Sequence, residues 1–161
     1  MNRQAAFPDS VVRVCTALEQ AGISADIKYH QQSTRTADEA AQACGCDVGQ
    51  IVKSLIFVGK QSGEAILLLV AGDQRVHEKR AGRAIGEAIG RADLDLVRQA
   101  TGFAIGGVSP FGHPMPLRIF ADETLMRFDE LWAAAGTPNH VFCISPKDLI
   151  RGTDAKLIPL I

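Results

Sequence analysis

Two apolar runs, residues 52–58 (VKSLIFV) and 65–71 (AILLLVA), stand on either side of the short spacer GKQSG. Each is too short for a typical helix, is rich in Val, Ile and Leu, and lacks the polar alternation of a strand with one wet face. The pattern predicts a hairpin of strands buried on both faces, at the centre of a sheet. Such strands need other elements packed above and below them, so the rest of the chain must supply cover for two faces.

The flanking sequence supplies that cover. Val11, Val14, Cys15, Leu18 and Ala21 recur at helical spacing after Asp9 or Ser10, and Gly22 follows as a left-handed stop. Residues 25–29 read as a short strand. Thr36, with Glu39 three residues on, forms a capping box ahead of the small face Ala37, Ala40, Ala41 and Cys44, and Gly45 ends that helix. Beyond Gly72 and Asp73, residues 75–91 predict a basic, solvent-facing helix. Asp93 caps a further helix that stops at Gly102, and residues 117–121 resume a strand. Residues 124–135 fit a helix by periodicity, yet the turn at 136–139 before residues 141–144 suits a hairpin equally. Ser145 and Pro146 open a last helix, and residues 157–160 predict an edge strand. The class is α/β.

At 161 residues, 47% hydrophobic and 22% charged, the chain has the size and composition of one globular domain spanning residues 1–161. Its net charge of -1 offers no global excess to hold duplex DNA or an anionic membrane, so any nucleic-acid site must be a local patch. The expected patch is Arg75, Lys79, Arg80, Arg83 and Arg91, set against only Glu78 and Glu87; an ordinary solvated helix face is the alternative. Four cysteines without a CxxC read as buried thiols of a reducing compartment. Residues 1–8 hold no apolar leader, and no apolar run approaches the ~20 residues of a membrane span, so a soluble cytoplasmic protein is expected. His30, His77, His113 and His140 show no metal-ligand spacing, and neither a metal nor a cofactor is called for.

Three features could carry chemistry. Lys53 places an ammonium within the apolar run, where it either snorkels to solvent or faces a cleft holding an anionic or carbonyl group. The irregular stretch 103–116, with three Gly and three Pro, contains the run GGVSPFG at 106–112. Its glycines either make a tight turn or let backbone N–H groups approach a ligand closely. Ser109 within it lacks a nucleophile-elbow sequence and has no His or Asp tied to it by motif.

The strand start Val52, Lys53, Ser54 and Leu55, the strand end at Ala71, Gly72 and Asp73, the helix stop at Thr101 and Gly102, and above all Gly106 to Gly112 resemble the YbaK/ProXp family of aminoacyl-tRNA editing deacylases. That family is related to the editing insertion of bacterial prolyl-tRNA synthetases. The resemblance covers essentially the whole chain, with the family's loop pattern on Gly106 and Pro110 and its lysine on Lys53. It implies an α/β fold with a mixed central sheet of about six or seven strands and surrounding helices, and it favours the hairpin over residues 128–144. It also implies hydrolysis of the ester joining a wrong amino acid to the 3′ adenosine of a tRNA, commonly tRNA for proline. The partner is then the aminoacyl-tRNA acceptor end, with a synthetase as a further possible partner, and neither DNA nor a membrane.

On this resemblance Lys53, Gly106 and Pro110 are the catalytic candidates, and a water attacks with help from the ribose 2′ hydroxyl. The substrate-binding candidates are His30, Thr36, Ser54, Gly107, Val108, Ser109, Phe111, Gly112, His113 and His140. Arg75, Lys79, Arg80 and Arg83 are the tRNA-binding candidates. Ala133, Ala134 and Ala135 stand where some members carry a hydroxyl residue, which weighs against clearance of cysteine; the expected amino acid is small, such as alanine. The rival readings are a non-catalytic module gripping a tRNA or a synthetase, and a small-molecule esterase using Ser109.

Overall fold

A computed structural model describes residues 7–161; the leader reading of residues 1–8 therefore falls mostly outside the described residues. The elements run α1 (Asp9–Gln20), β1 (Ile27–Tyr29), α2 (Ala37–Cys44), β2 (Val52–Gly59), β3 (Ala65–Ala71), α3 (Glu78–Ile85), β4 (Ile89–Arg91), α4 (Leu94–Thr101), β5 (Arg118–Asp122), β6 (Leu131–Ala134), β7 (His140–Ile144), α5 (Pro146–Thr153) and β8 (Lys156–Ile158).

The β2–β3 hairpin forms in the register Val52↔Ala71 through Val58↔Ala65. β3 is the middle strand of a five-stranded sheet ordered β4-β2-β3-β5-β8. The pairs β2–β4 and β2–β3 are antiparallel, while β3–β5 and β5–β8 are parallel, which makes the sheet mixed. Leu67, Leu69 and Ala71 face one core with Val14 and Leu18 of α1, Phe103, Phe142 and Leu149. Ile66, Leu68 and Val70 face a second core with Ala81 of α3, Ile89, Ile158 and Leu160. Both faces of β3 are thus dry, which is why its sequence is continuously apolar.

The remaining strands form a separate antiparallel sheet ordered β1-β7-β6. The α/β class stands, but the eight described strands are divided five and three rather than gathered in one central sheet. A single parallel bridge, Ile51↔Trp132, joins the two sheets. Over that joint α2 rests Ala40 and Ala41 against Ile51 and Trp132. The small residues of the α2 face bring the helix close to the backbone there, and its capping box is present as expected, Thr36 Oγ1 accepting from Glu39 N–H at 3.1 Å.

Residues 124–135 resolve to the hairpin. A short 3-10 turn (Glu123–Arg127) is capped by Asp122, and β6 then pairs with β7 in the register Leu131↔Ile144 to Ala134↔Val141. Helical periodicity loses here because Leu131 and Ala133 gain strand partners while burying against the larger core.

The helix expected over 75–91 is corrected. It spans only Glu78–Ile85 and stops at Gly86, whose φ of 106° is left-handed. The chain then returns as β4, placing Arg91 on a strand opposite Phe57. Glu87, in the connection, accepts from the Ser62 and Gln61 amides and the Ser62 hydroxyl, and from Arg118 at 2.7 Å. These bonds, the Ser62 amide first and Arg118 next, hold its carboxyl down at about 2. Because the folded value lies below the unfolded one, Glu87 stabilises the fold above the ordinary carboxylate range, and that contribution is lost as pH falls towards the folded value. Glu87→Gln is expected to lower Tm at neutral pH, with the deficit shrinking as pH drops from about 5 to about 2. Thermal melts across that range check it, and a pH-independent deficit contradicts it.

Candidate active site

β2 is covered by β3 along its whole length but by β4 only from Phe57 onward. At its other end it meets β6 only through the bridge at Ile51. Between these lies an open stretch of strand edge. Gly72 N–H donates to Ile51 O and Gly59 N–H to Glu64 O, so odd-numbered residues of β2 bond towards β3. Lys60 N–H donates to Ala88 O on the opposite side. Strand alternation then aims the N–H and C=O of Ser54, midway along the gap, at the open edge. A cleft of about 570 Å³ lies over this edge, walled by the 103–116 loop, the Thr34 to Ala37 segment and the outer face of the small sheet.

Lys53 and Ser54 both line the cleft. Lys53 is half-buried, and its ammonium donates to the carbonyl of Gln74. Burial foremost, and then the nearby Arg75, push its pKa below that of an ordinary lysine, with Asp73 opposing. The Ser54 Oγ is buried and has no hydrogen-bond partner among the described residues. An unpaired buried hydroxyl is costly in a closed core, and it is the arrangement expected of a group that completes its bonds with a ligand.

In the glycine-rich loop, Gly106 and Val108 line the cleft. Gly106 has φ +89, and a methyl on it would stand 2.7 Å from Arg35 Cγ, so the Arg35 stem lies directly across the glycine. Gly107 packs instead on the β6–β7 turn, where a Cβ would stand 2.8 Å from Thr137 Cα. Gly112 packs against the backbone of Arg13 and Val14. Phe111 belongs to the core, 6.0 Å from the Phe142 ring, and Pro110 is buried.

Ser109 is fully buried. Its Oγ accepts from Phe111 N–H, and His113 Nε2 donates to its carbonyl at 2.7 Å rather than approaching the hydroxyl. Burial lowers the His113 pKa, with the Ser109 bond opposing. The pair therefore lacks the nucleophile–base geometry that a serine esterase needs.

Thr36 lines the cleft as the α2 cap. His30, Pro110 and His113 do not, and neither does His140, which is buried, pairs with Thr137 Oγ1 at 2.6 Å and has its pKa lowered by burial. His30 Nε2 is buried without a described partner. None of Arg75, Lys79, Arg80 and Arg83 lines the cleft, and Arg80 is tied to the carbonyl oxygen of Ile161 at 2.6 Å. Thr34 and Arg35, in the loop 30–36 that the family resemblance assigns to the pocket, line it, as does Arg91 of the expected basic patch; Trp132, which lines it too, is the residue sequence reasoning did not single out. No motif marks Trp132; the sheet joint at Ile51 brings it to the cleft.

Among the described residues no group of three or more His, Cys, Asp or Glu could hold a metal. All four cysteines are free thiols, Cys15 buried and the other three half-buried, and burial foremost pushes each of them up, Cys44 to about 11. No described helix is long and apolar enough to cross a membrane.

The profile of the aminoacyl-tRNA editing domain matches residues 31–151, which include every cleft residue named above. The uncharacterized protein YwhH of Bacillus subtilis (strain 168) is 31% identical over 132 residues, 82% of this chain and 83% of that protein. A proline--tRNA ligase of Limosilactobacillus fermentum is 30% identical over 115 residues, 68% of this chain but 20% of the ligase. A crystal structure described as "a putative trans-editing enzyme for prolyl tRNA synthetase" superposes with a TM-score of 0.89 at 46% identity, covering 96% of this chain and 98% of the other. With the profile spanning the strand edge, the lysine and the glycine loop alike, this chain belongs to the aminoacyl-tRNA editing domain family.

Proposed function

We propose that this protein hydrolyses the ester of tRNA for proline charged with a small wrong amino acid, alanine foremost, acting as a free-standing editing enzyme in the cytoplasm. The observation that carries the reading is the open edge of β2 at Ser54, whose N–H and C=O strand alternation aims at one cleft that also holds Lys53 and Gly106. These groups suit an ester carbonyl and the ribose around it. With Ser109 buried, a water is the nucleophile: its oxygen adds to the carbonyl carbon, the bond to the ribose oxygen breaks, and that oxygen takes up a proton. An aminoacyl ester is already activated, so positioning and polarisation suffice.

The amino-acid end favours small apolar side chains. Ala133, Ala134 and Val141 give the small-sheet side of the cleft a methyl-rich lining, and the hydroxyl residues Thr34, Thr36 and Ser54 come from other elements. A pocket of this kind admits alanine and rejects bulkier groups by sterics, which a synthetic site cannot do in reverse.

The test is a deacylation panel with tRNA for proline charged separately with alanine, cysteine, serine, threonine and proline. Alanyl-tRNA is expected to turn over fastest, and prolyl-tRNA is expected to survive. Hydrolysis of none of them would favour a non-catalytic tRNA-gripping module.

A further inference from the structure

We infer that Arg35 and Arg91 form a two-pronged clamp for the phosphodiesters of the terminal nucleotides of a single-stranded RNA 3′ end. The inference rests on the editing reading for the identity of that RNA, and on the cleft itself for the clamp.

Both arginines line the cleft, from different elements: Arg35 from the segment before α2, Arg91 from the last position of β4. Neither has a hydrogen bond, ion pair or ring contact from its side chain among the described residues. That sets them apart from Arg13, Arg80, Arg118, Arg127 and Arg151, each engaged by a carbonyl, a carboxylate or a ring. Arg75, Arg83 and Arg98 are also without such partners, but they lie off the cleft.

Three cations, Arg35, Lys53 and Arg91, line the cleft, and no Asp or Glu does. In a chain of net charge -1 that is a strong local imbalance, and it attracts an anion while offering no carboxylate to repel one. The Arg35 stem crosses Gly106, where any side chain would collide with it, so the arginine stands beside the glycine loop. A guanidinium with free donors matches the bidentate geometry of a phosphate. The basic face of α3 is a weaker candidate: Arg80 is occupied by Ile161, and Lys79 and Arg83 share their hollow with Glu78 and Glu87.

The experiment compares wild type, Arg35→Ala, Arg91→Ala, the double variant, Arg35→Lys/Arg91→Lys and Lys79→Ala/Arg83→Ala. Two substrates are used: alanyl-tRNA for proline, and 3′-O-alanyl-adenosine, which has no phosphate. Anisotropy of a fluorescein-labelled single-stranded RNA ending in CCA is measured in parallel, so the clamp is read even without turnover. The double alanine variant is expected to raise KM for alanyl-tRNA about tenfold or more, and to flatten its dependence on log salt by about 0.7 per lost phosphate contact. It should weaken RNA binding alike, while the adenosine ester stays within about twofold. The lysine pair should fall between, keeping charge but losing the fork. Unchanged KM and RNA affinity, equal losses on both substrates, or a loss following Lys79→Ala/Arg83→Ala instead would overturn the clamp. If wild type binds the RNA through these arginines but hydrolyses nothing, the editing reading fails and the clamp stands.

Discussion

Lys53→Ala is expected to lower kcat/KM for the preferred aminoacyl-tRNA by about 100-fold or more while leaving the protein folded. Lys53 is the one lysine that lines the cleft, half-buried and held by the Gln74 carbonyl, where low local dielectric strengthens its field at a developing oxyanion. A purely structural role would tie β2 to the turn after β3 and be worth about 1 kcal/mol. The two roles separate on measurement. Loss of the tie lowers Tm with kcat/KM nearly intact, whereas loss of the catalytic ammonium lowers kcat/KM with Tm nearly intact. The depressed pKa adds a second signature. If the charged form is required, activity should fall on the alkaline side at a lower pH than an ordinary lysine would give. A rate for Lys53→Ala close to wild type would remove the residue from the chemistry.

Gly106→Val is expected to abolish turnover, with a fall of about 100-fold or more, for two reasons that act together. At φ +89 a β-branched residue is strained by its own backbone. Its side chain would also take the space of the Arg35 stem, 2.7 to 3.2 Å from three of its atoms, so the loop or the arginine must move. Movement of the loop displaces the glycine backbone that walls the cleft. Ser109→Ala is the informative control, since its hydroxyl serves only a local turn to Phe111 N–H and faces the interior. That variant should keep most activity at some loss of stability. If both variants are equally inactive with native Tm values, a serine nucleophile becomes the better account.

The hairpin was legible in the sequence because burial on both faces removes the polar alternation, a property of each strand alone. The later caps were legible for a similar reason, whereas α1 starts after Pro8, with the expected caps Asp9 and Ser10 inside its first turn and no side-chain cap bond. Thr36 with Glu39, Asp93, and Ser145 with Pro146 act within one helical turn, and all three appear where local chemistry puts them. Failure came where the outcome depended on partners far along the chain. The basic stretch 75–91 has helical periodicity throughout, yet its last part pairs as β4 because Val58 and Gly59 offer an edge to Gly90 and Ile89.

The site divides in the same way. Lys53 and Gly106 could be named from short motifs, since a lysine in an apolar run and a glycine-rich loop are conspicuous in any chain, and Ser54 through the family resemblance. Their meeting could not be named, because it depends on β4 covering β2 only from Phe57 and β6 touching it only at Ile51. The sequence thus determined the class, the buried hairpin and five of the cleft residues, Thr36, Lys53, Ser54, Gly106 and Val108, through local patterns and the family resemblance they carry. Tertiary structure alone decided the five-and-three division of the strands, the open edge at Ser54, the burial of Ser109, and the placing of Arg35 and Arg91 on the cleft lining with Arg75, Lys79, Arg80 and Arg83 off it. The physical reason is one of range: periodicity and caps report local free energy, whereas a cleft is the space left between segments that pack on other things.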